Sequence, residues 1–349
     1  MIGAANTNTA PQPKIKIVHP VLLAEPRDAN PKIADDKYDA IVSHDVSADY
    51  KDLQSAINAV PDNGSKPFRL LVKPGTYQGQ FIVPKEKAHV QLIGEDVTNT
   101  ILTYSLNQSE SPAPDGKPIY NNAGTVVLGD DFRAENITFQ NTSGDHGQAL
   151  ALRADGDRAV FSHCRLLGWQ DTLRVDDARQ YFTNCCIEGR VDFIYGSATA
   201  VFDHCEIHSK NGGYVTAANT PQDKPFGLVF LDCKLTGDPT PWVNPTNAAA
   251  AIPSKTPLAC LGRPWRPYAS VTYLNCWMGD HIKPEGWNNW RNPTNELTAR
   301  FAEFNSTGPG ANPERRVKWS RQLTEEASKA FAVEKILGGA DGWNPQDGN

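Results

Sequence analysis

Phe161-Ser-His-Cys164, Phe182-Thr-Asn-Cys185 and Phe202-Asp-His-Cys205 repeat one phrase: an aromatic residue, two spacers and a cysteine. Phe230-Leu-Asp-Cys233 and Tyr273-Leu-Asn-Cys276 continue it, and successive cysteines lie 21, 20, 28 and 43 residues apart. A period near 20 with insertions of variable length marks a solenoid, in which each coil buries its apolar face only against its neighbours. The phrases sit in runs rich in β-branched and aromatic residues (Arg158 to Leu166, Thr199 to Ile207, Gly227 to Leu235), so the coils are strands and not helices. The expected fold is all-β, a single-stranded right-handed parallel β-helix. In such a fold, residues one period apart become vertical neighbours.

Outward from the repeat, strands are expected at Phe68 to Lys73, Val90 to Ile93, Thr125 to Leu128 and Asn136 to Phe139. Asn107 to Asn122 and Pro239 to Pro257 read as loops projecting from turns, and the second accounts for the lengthened period. Ser47 to Val60 carries capping residues and then Leu53, Ile57 and Val60 at helical spacing, so a short helix is expected to cover the N-terminal end of the solenoid. Thr324 to Leu337, opened by Thr-Glu-Glu-Ala, reads as one or two helices near the other end. Residues 1–35 are rich in Pro, Ala, Asn and Asp and read as a weakly ordered arm, leaving 36–349 as one solenoid domain. The opening Met-Ile-Gly-Ala-Ala-Asn has neither a basic leader nor an apolar core; it reads as an expression remnant from which a natural signal peptide is gone.

The net charge of −6 and the lack of a basic stripe argue against a nucleic-acid partner. No run of 18 apolar residues is present, so no helical membrane span is expected. Five of the seven cysteines occupy the repeat position and read as small buried hydrophobes. Cys185 and Cys205, equivalent in adjacent coils, are placed where a cross-coil disulfide could form. The cysteines and eight histidines show no metal-ligand pattern, and no metal or cofactor is expected. Asn107, Asn136, Asn141 and Asn305 begin Asn-x-Ser/Thr matches, which carry meaning only in a eukaryotic secretory route.

The chemistry follows from the period. Asp171 lies seven residues after Cys164 and Asp192 seven after Cys185. The two carboxylates should therefore face each other at the inter-strand spacing of about 4.8 Å. Two carboxylates that close cannot both ionise cheaply, so one stays protonated as a general acid while the other serves as nucleophile or base. A ladder of aspartates capping turns would give the same spacing. The neighbours favour chemistry: Gln170 adjoins Asp171, Gln148 lies 22 residues earlier, and two amides can donate to a forming oxyanion. Arg263 offers a planar cation for a carboxylate, and Trp265 and Trp169 offer flat faces for sugar rings. Gly-x-Ser-x-Gly is absent, so the reaction would run on aspartates.

Gly75-Thr-Tyr77, Gln148-Ala-Leu-Ala-Leu-Arg153, Gly168-Trp-Gln-Asp-Thr-Leu173, Asp192-Phe-Ile-Tyr-Gly196 and Leu261-Gly-Arg-Pro-Trp265 occur in that order. With Pro284-Glu-Gly-Trp287 and Asn305-Ser-Thr-Gly-Pro-Gly310, they make the chain resemble the pectin methylesterases of carbohydrate esterase family 8, in a bacterial-looking form. The resemblance covers residues 38 to 325. It implies a right-handed β-helix that hydrolyses the methyl esters of polygalacturonate in pectin, releasing methanol without a metal. It also implies a secreted or periplasmic enzyme, expected to be a monomer.

By position, Asp192 resembles the nucleophile, Asp171 the acid/base, Gln148 and Gln170 the oxyanion donors, and Arg263 the partner of Asp192. Trp265 and Trp287 resemble substrate-stacking residues, and Trp169, Tyr195 and Arg174 complete the expected substrate-binding set. Three departures touch subsites and not the reaction: Gln78-Gly79-Gln80 lacks the usual glutamate, Tyr195 replaces Phe, and Arg174 replaces Tyr. Two alternatives remain at this point. A pectate lyase or polygalacturonase would leave Gln148 and Gln170 unexplained, and a member drifted to another ester or thioester would differ only in its loops.

Overall fold

Phe161, Phe182, Phe202, Phe230 and Tyr273 stand in register on neighbouring parallel strands of an 11-stranded sheet. Their rings stack inside the solenoid with centroids 4.7, 4.9, 4.6 and 4.5 Å apart, tilted by 6° to 14°. Stacked aromatic pairs contribute about 0.5–1.5 kcal/mol each beyond the area they bury, so the repeated aromatic fixes the register of successive coils. The residue before each cysteine (His163, Asn184, His204, Asp232, Asn275) has φ between 52° and 55°. Asn, Asp and His tolerate this left-handed region best among side-chain-bearing residues, and one such residue turns each strand around a corner.

The computed structural model describes residues 38–110, 122–239 and 258–347, all within the unit Asp36–Asn349. The expected arm at 1–35 and most of the two expected loop excursions lie outside the described residues. A second, 13-stranded sheet completes the solenoid. It bends along its middle, because Cys186–Gly196 and Glu206–Ala218 are long strands that turn the next corner within themselves. Before the bend run Gly75–Gln78, Thr100–Tyr104, Thr138–Asn141 and Arg165–Leu167; after it run Phe81–Val83, Ala123–Val127, Leu150–Ala154, Leu173–Val175 and Ala259–Pro264. Among the described residues every pairing between strands is parallel, and the fold is a right-handed parallel β-helix.

The cysteines are free, so the Cys185–Cys205 disulfide is not formed. Thiols of the repeat instead donate to the carbonyl of the Phe one coil back: Cys185 to Phe161 at 3.4 Å, Cys205 to Phe182 at 3.5 Å and Cys233 to Phe202 at 3.2 Å. Burial pushes the Cys185 and Cys233 thiols up, which keeps them protonated donors.

The N-terminal helix is shorter than expected, Leu53–Ala59, capped by Asp52 through the Ser55 N–H. Residues 49 and 50 are drawn into pairing instead: Asp49 accepts from the Ile41 N–H and the Tyr50 N–H donates to the Ile41 carbonyl. Leu53, Ala56 and Ile57 are buried in the main core, covering its first coil as expected. The C-terminal segment forms two short helices, Glu325–Ser328 and Val333–Leu337. The second lies on the flank of the first sheet and not at its end. Val333, Ile336 and Leu337 cover the outward-facing Val160, Tyr181, Val201 and Val229.

Candidate active site

Beyond the bend of the second sheet, side chains alternate strictly. Leu152, Leu173 and Ile194 point into the core with no exposure. Their successors Arg153, Arg174 and Tyr195 form an outward column that continues through Ala217 to Arg263. Asp171 and Asp192 precede Arg174 and Tyr195 by three residues, at the bend itself, where the register shifts between Val191 and Ile194. Both aspartates take left-handed φ values, 65° and 52°, and the Asp171 N–H donates to the Val191 carbonyl at 3.0 Å. Just upstream the backbone approaches closely. A Cβ on Gly189 would lie 2.2 Å from the Phe193 Cβ and 2.7 Å from the Trp169 carbonyl oxygen, so only glycine fits the approach to Asp192.

The two carboxyls are 5% and 7% exposed, and their environments differ. Asp171 is pushed up to about 7, first by burial and then by the neighbouring Asp192 charge; Tyr195, Arg174 and Arg263 oppose the shift. Burial also raises Asp192, but Arg263 works against it. The Arg263 Nε and Nη2 donate to the two Asp192 oxygens at 2.8 and 2.6 Å, a bidentate charged pair. The cation therefore grips one carboxylate of the pair and leaves the proton to the other.

Gln148 and Gln170 form a parallel bridge one coil upstream. Both line a pocket of about 390 Å³ together with Asn107, Gln108, Ser109, His146 and Gly147. Trp265 is half-buried and meets the Tyr195 ring edge-on at 5.9 Å. Arg174 is tied through Nε to Asp176 at 2.6 Å, with its guanidinium 5.6 Å from the Tyr195 ring and 5.9 Å from that of Trp265. The site is thus a pair of unlike aspartates with amides on one side and a cationic, aromatic wall on the other. Such an arrangement can form and break an acyl–carboxylate bond.

The pectinesterase family model matches residues 39–340. The chain belongs to the pectinesterase family. Pectinesterase 31 of Arabidopsis thaliana is 36% identical over 297 residues, spanning 83% of this chain and 89% of that protein. The pectin methylesterase from carrot superposes with a TM-score of 0.78 at 30% identity, covering 89% of this chain and 96% of that one. PemA from Erwinia chrysanthemi gives 0.72 at 27% identity, covering 88% and 98%. These relatives span plant and bacterial sources, so the likeness does not single out a bacterial form.

Two members of the expected substrate-binding set sit elsewhere in this pectinesterase. Trp287 is 2% exposed. It bridges to Gly262, at the end of the inward line Leu173–Ile194–Thr216–Gly262, and stacks on Phe301 at 4.4 Å. It extends the core ladder and offers no face to a sugar. Tyr195 is 7% exposed beneath Trp265, and its hydroxyl works against the upward shift of Asp171; it does not line the groove. Trp169 is half-buried over the Lys210 ammonium at 3.9 Å, while Lys210 itself bonds the Gly168 carbonyl and Glu188. Sequence reading missed Tyr214 and Trp290, whose rings lie against Arg263. The signal for Tyr214 was its place in the strand between those of Asp192 and Arg263; for Trp290, in a loop, no periodic signal exists.

Proposed function

We propose that this pectinesterase de-esterifies pectin through Asp192 as nucleophile and Asp171 as acid and then base. An Asp192 carboxylate oxygen attacks the C6 carbonyl of a methylated galacturonate. The oxyanion formed is met by the Gln148 and Gln170 amides. As the C–OCH3 bond breaks, Asp171 gives its proton to the leaving methoxide, and methanol departs. Water then attacks the acyl-enzyme, Asp171 takes one of its protons, and the bond to Asp192 breaks to release the acid. The ester and one water become one carboxylic acid and one methanol.

The observation that carries this reading is the bidentate grip of Arg263 on Asp192 alone within an in-register pair of aspartates. It gives two chemically identical groups two roles. Trp265 and Arg174 flank the reacting position, where a flat face and a cation suit a sugar ring and a neighbouring free carboxylate. A solved pectin methylesterase in complex with a hexasaccharide, 27% identical with a TM-score of 0.71, supports a polysaccharide groove of this kind. The enzyme acts outside the cytoplasm, secreted or periplasmic, as a monomer. Among the described residues no helix is long and apolar enough to cross a membrane.

The test is methanol release from highly methylated pectin, read beside new reducing ends and a short-chain acyl ester. Methanol without reducing ends, and little turnover of the short ester, is the expected result. Reducing ends would indicate chain cleavage, and preference for the short ester would indicate a drifted acyl substrate.

A further inference from the structure

Arg263 is held by more than Asp192. The Tyr214 ring centroid lies 3.9 Å from its guanidinium carbon and the Trp290 centroid 3.8 Å. A guanidinium is flat, and two rings that close to one carbon cannot share a face, so the cation is sandwiched. The sandwich answers a problem of reach. Arg263 stands two coils beyond the Asp192 strand in the column Tyr195–Ala217–Arg263, and its side chain must cross the intervening coil, about 10 Å in all, to meet the carboxylate. Ala217 leaves the path open. A side chain that long carries roughly 2 kcal/mol of rotamer entropy, and walls on both faces remove the competing rotamers in advance.

We propose that Tyr214 and Trp290 are positioning residues for the dyad, locking the plane of Arg263 so that Asp192, and not Asp171, is the carboxylate kept ionised. The proposal rests on the reading of Asp192 as nucleophile. Tyr214 is supplied by the intervening coil, in register with Val191 on one side and Cys260 on the other. Trp290 is supplied from the opposite side at a conformational cost. Its φ is 60°, a region that bulky residues rarely enter, and Asn288 holds the turn by accepting the Trp290 N–H at 2.8 Å. The turn seats the indole against the apolar patch of Tyr195 and Ala217, next to Arg263.

Among the described residues, Arg263 is the charge that keeps Asp192 anionic. The Asp192 charge raises Asp171 in the preceding coil, which Tyr195, Arg174 and Arg263 oppose; Arg190, on the Asp192 strand, is paired with Asp145.

The experiment is the pH dependence of methanol release by the full chain carrying Tyr214→Leu, Trp290→Leu, Tyr214→Phe or Trp290→Phe. A looser Arg263 lets Asp192 take up its proton at higher pH, so the acidic limb moves up. Each Leu variant should lower kcat about tenfold and shift that limb by roughly half a unit to one unit, with KM nearly unchanged. Each Phe variant should restore both. An unmoved limb, or a raised KM at constant kcat, would overturn the proposal in favour of a sugar platform.

Should a Leu variant fold poorly, the same substitution in an Arg263→Lys background decides. A ring that acts through Arg263 adds little there, while a merely structural ring adds its full effect. Turnover by Asp192→Ala would sink the nucleophile assignment itself. A dead Asp192→Ala beside Leu variants that track the wild type would sink only the sandwich.

Discussion

Two aspartates one coil apart become an acid and a nucleophile because burial raises both and only Asp192 is gripped bidentately by Arg263. Asp171 titrates at about 7, so pectin turnover should fall as pH rises through that range, as the acid loses its proton; a profile still climbing well above it would assign the acid elsewhere. The same shift acts on stability. The folded state holds a proton on Asp171 that the unfolded chain releases above its ordinary value of 3.8, so this group's stabilising effect is present at low pH and is lost as pH rises towards 7. Asp171→Asn should therefore raise Tm at pH 8 more than at pH 4, and an equal change at both would show that the proton is not held. Arg263→Lys replaces a bidentate partner by a point charge and should cost on the order of a hundredfold in kcat. Arg174→Tyr should weaken binding of partly de-esterified pectin more than of fully methylated pectin, because it removes a guanidinium suited to a free carboxylate. Equal losses on both substrates would remove it from the binding set.

At the scale of elements, the aromatic ladder is the spine that brings the dyad into register. Phe202 is fully buried between Phe182 and Phe230. Phe202→Ala should destabilise by about 3–5 kcal/mol, read as a lower midpoint in denaturant, while Phe202→Leu keeps most of the volume and should cost less. A cost under 1 kcal/mol for the alanine would mean that the ladder is not what holds the coils. This ladder was legible because a solenoid writes its register into the sequence period, and the Asp171–Asp192 pairing came from the same count. The helix start was misread because Asp49, a capping residue by type, is taken up with Tyr50 by the strand Ala40–Val42. The helix Val333–Leu337 was assigned to the wrong surface. The decisive pattern was present all the same: Val160, Tyr181, Val201 and Val229 make the outward face of the first sheet apolar, and such a face must be covered. Trp287 was misplaced because its motif lies outside the strand period, and only the bridge to Gly262 reveals that it points inward.

Across the whole molecule, the C-terminal segment is strapped back onto the solenoid by charge as well as by apolar contact. Arg179 joins Asp157 to Asp341 and donates to the Leu337 carbonyl. No step of the proposed reaction uses a metal ion, so exhaustive EDTA treatment should leave the rate unchanged. Asp203, His204 and Asp232, whose ligand atoms lie within 4.8 Å of one another, lie outside the dyad, and Asp203 already accepts from Tyr181. A loss of rate restored by calcium would contradict the aspartate-only account. The most direct test of that account is methanol release from highly methylated pectin by Asp192→Ala beside the wild type, with the circular dichroism of both recorded. The account predicts an unchanged β-helix spectrum and no turnover above background; a folded Asp192→Ala that kept more than a few per cent of the wild-type rate would contradict it.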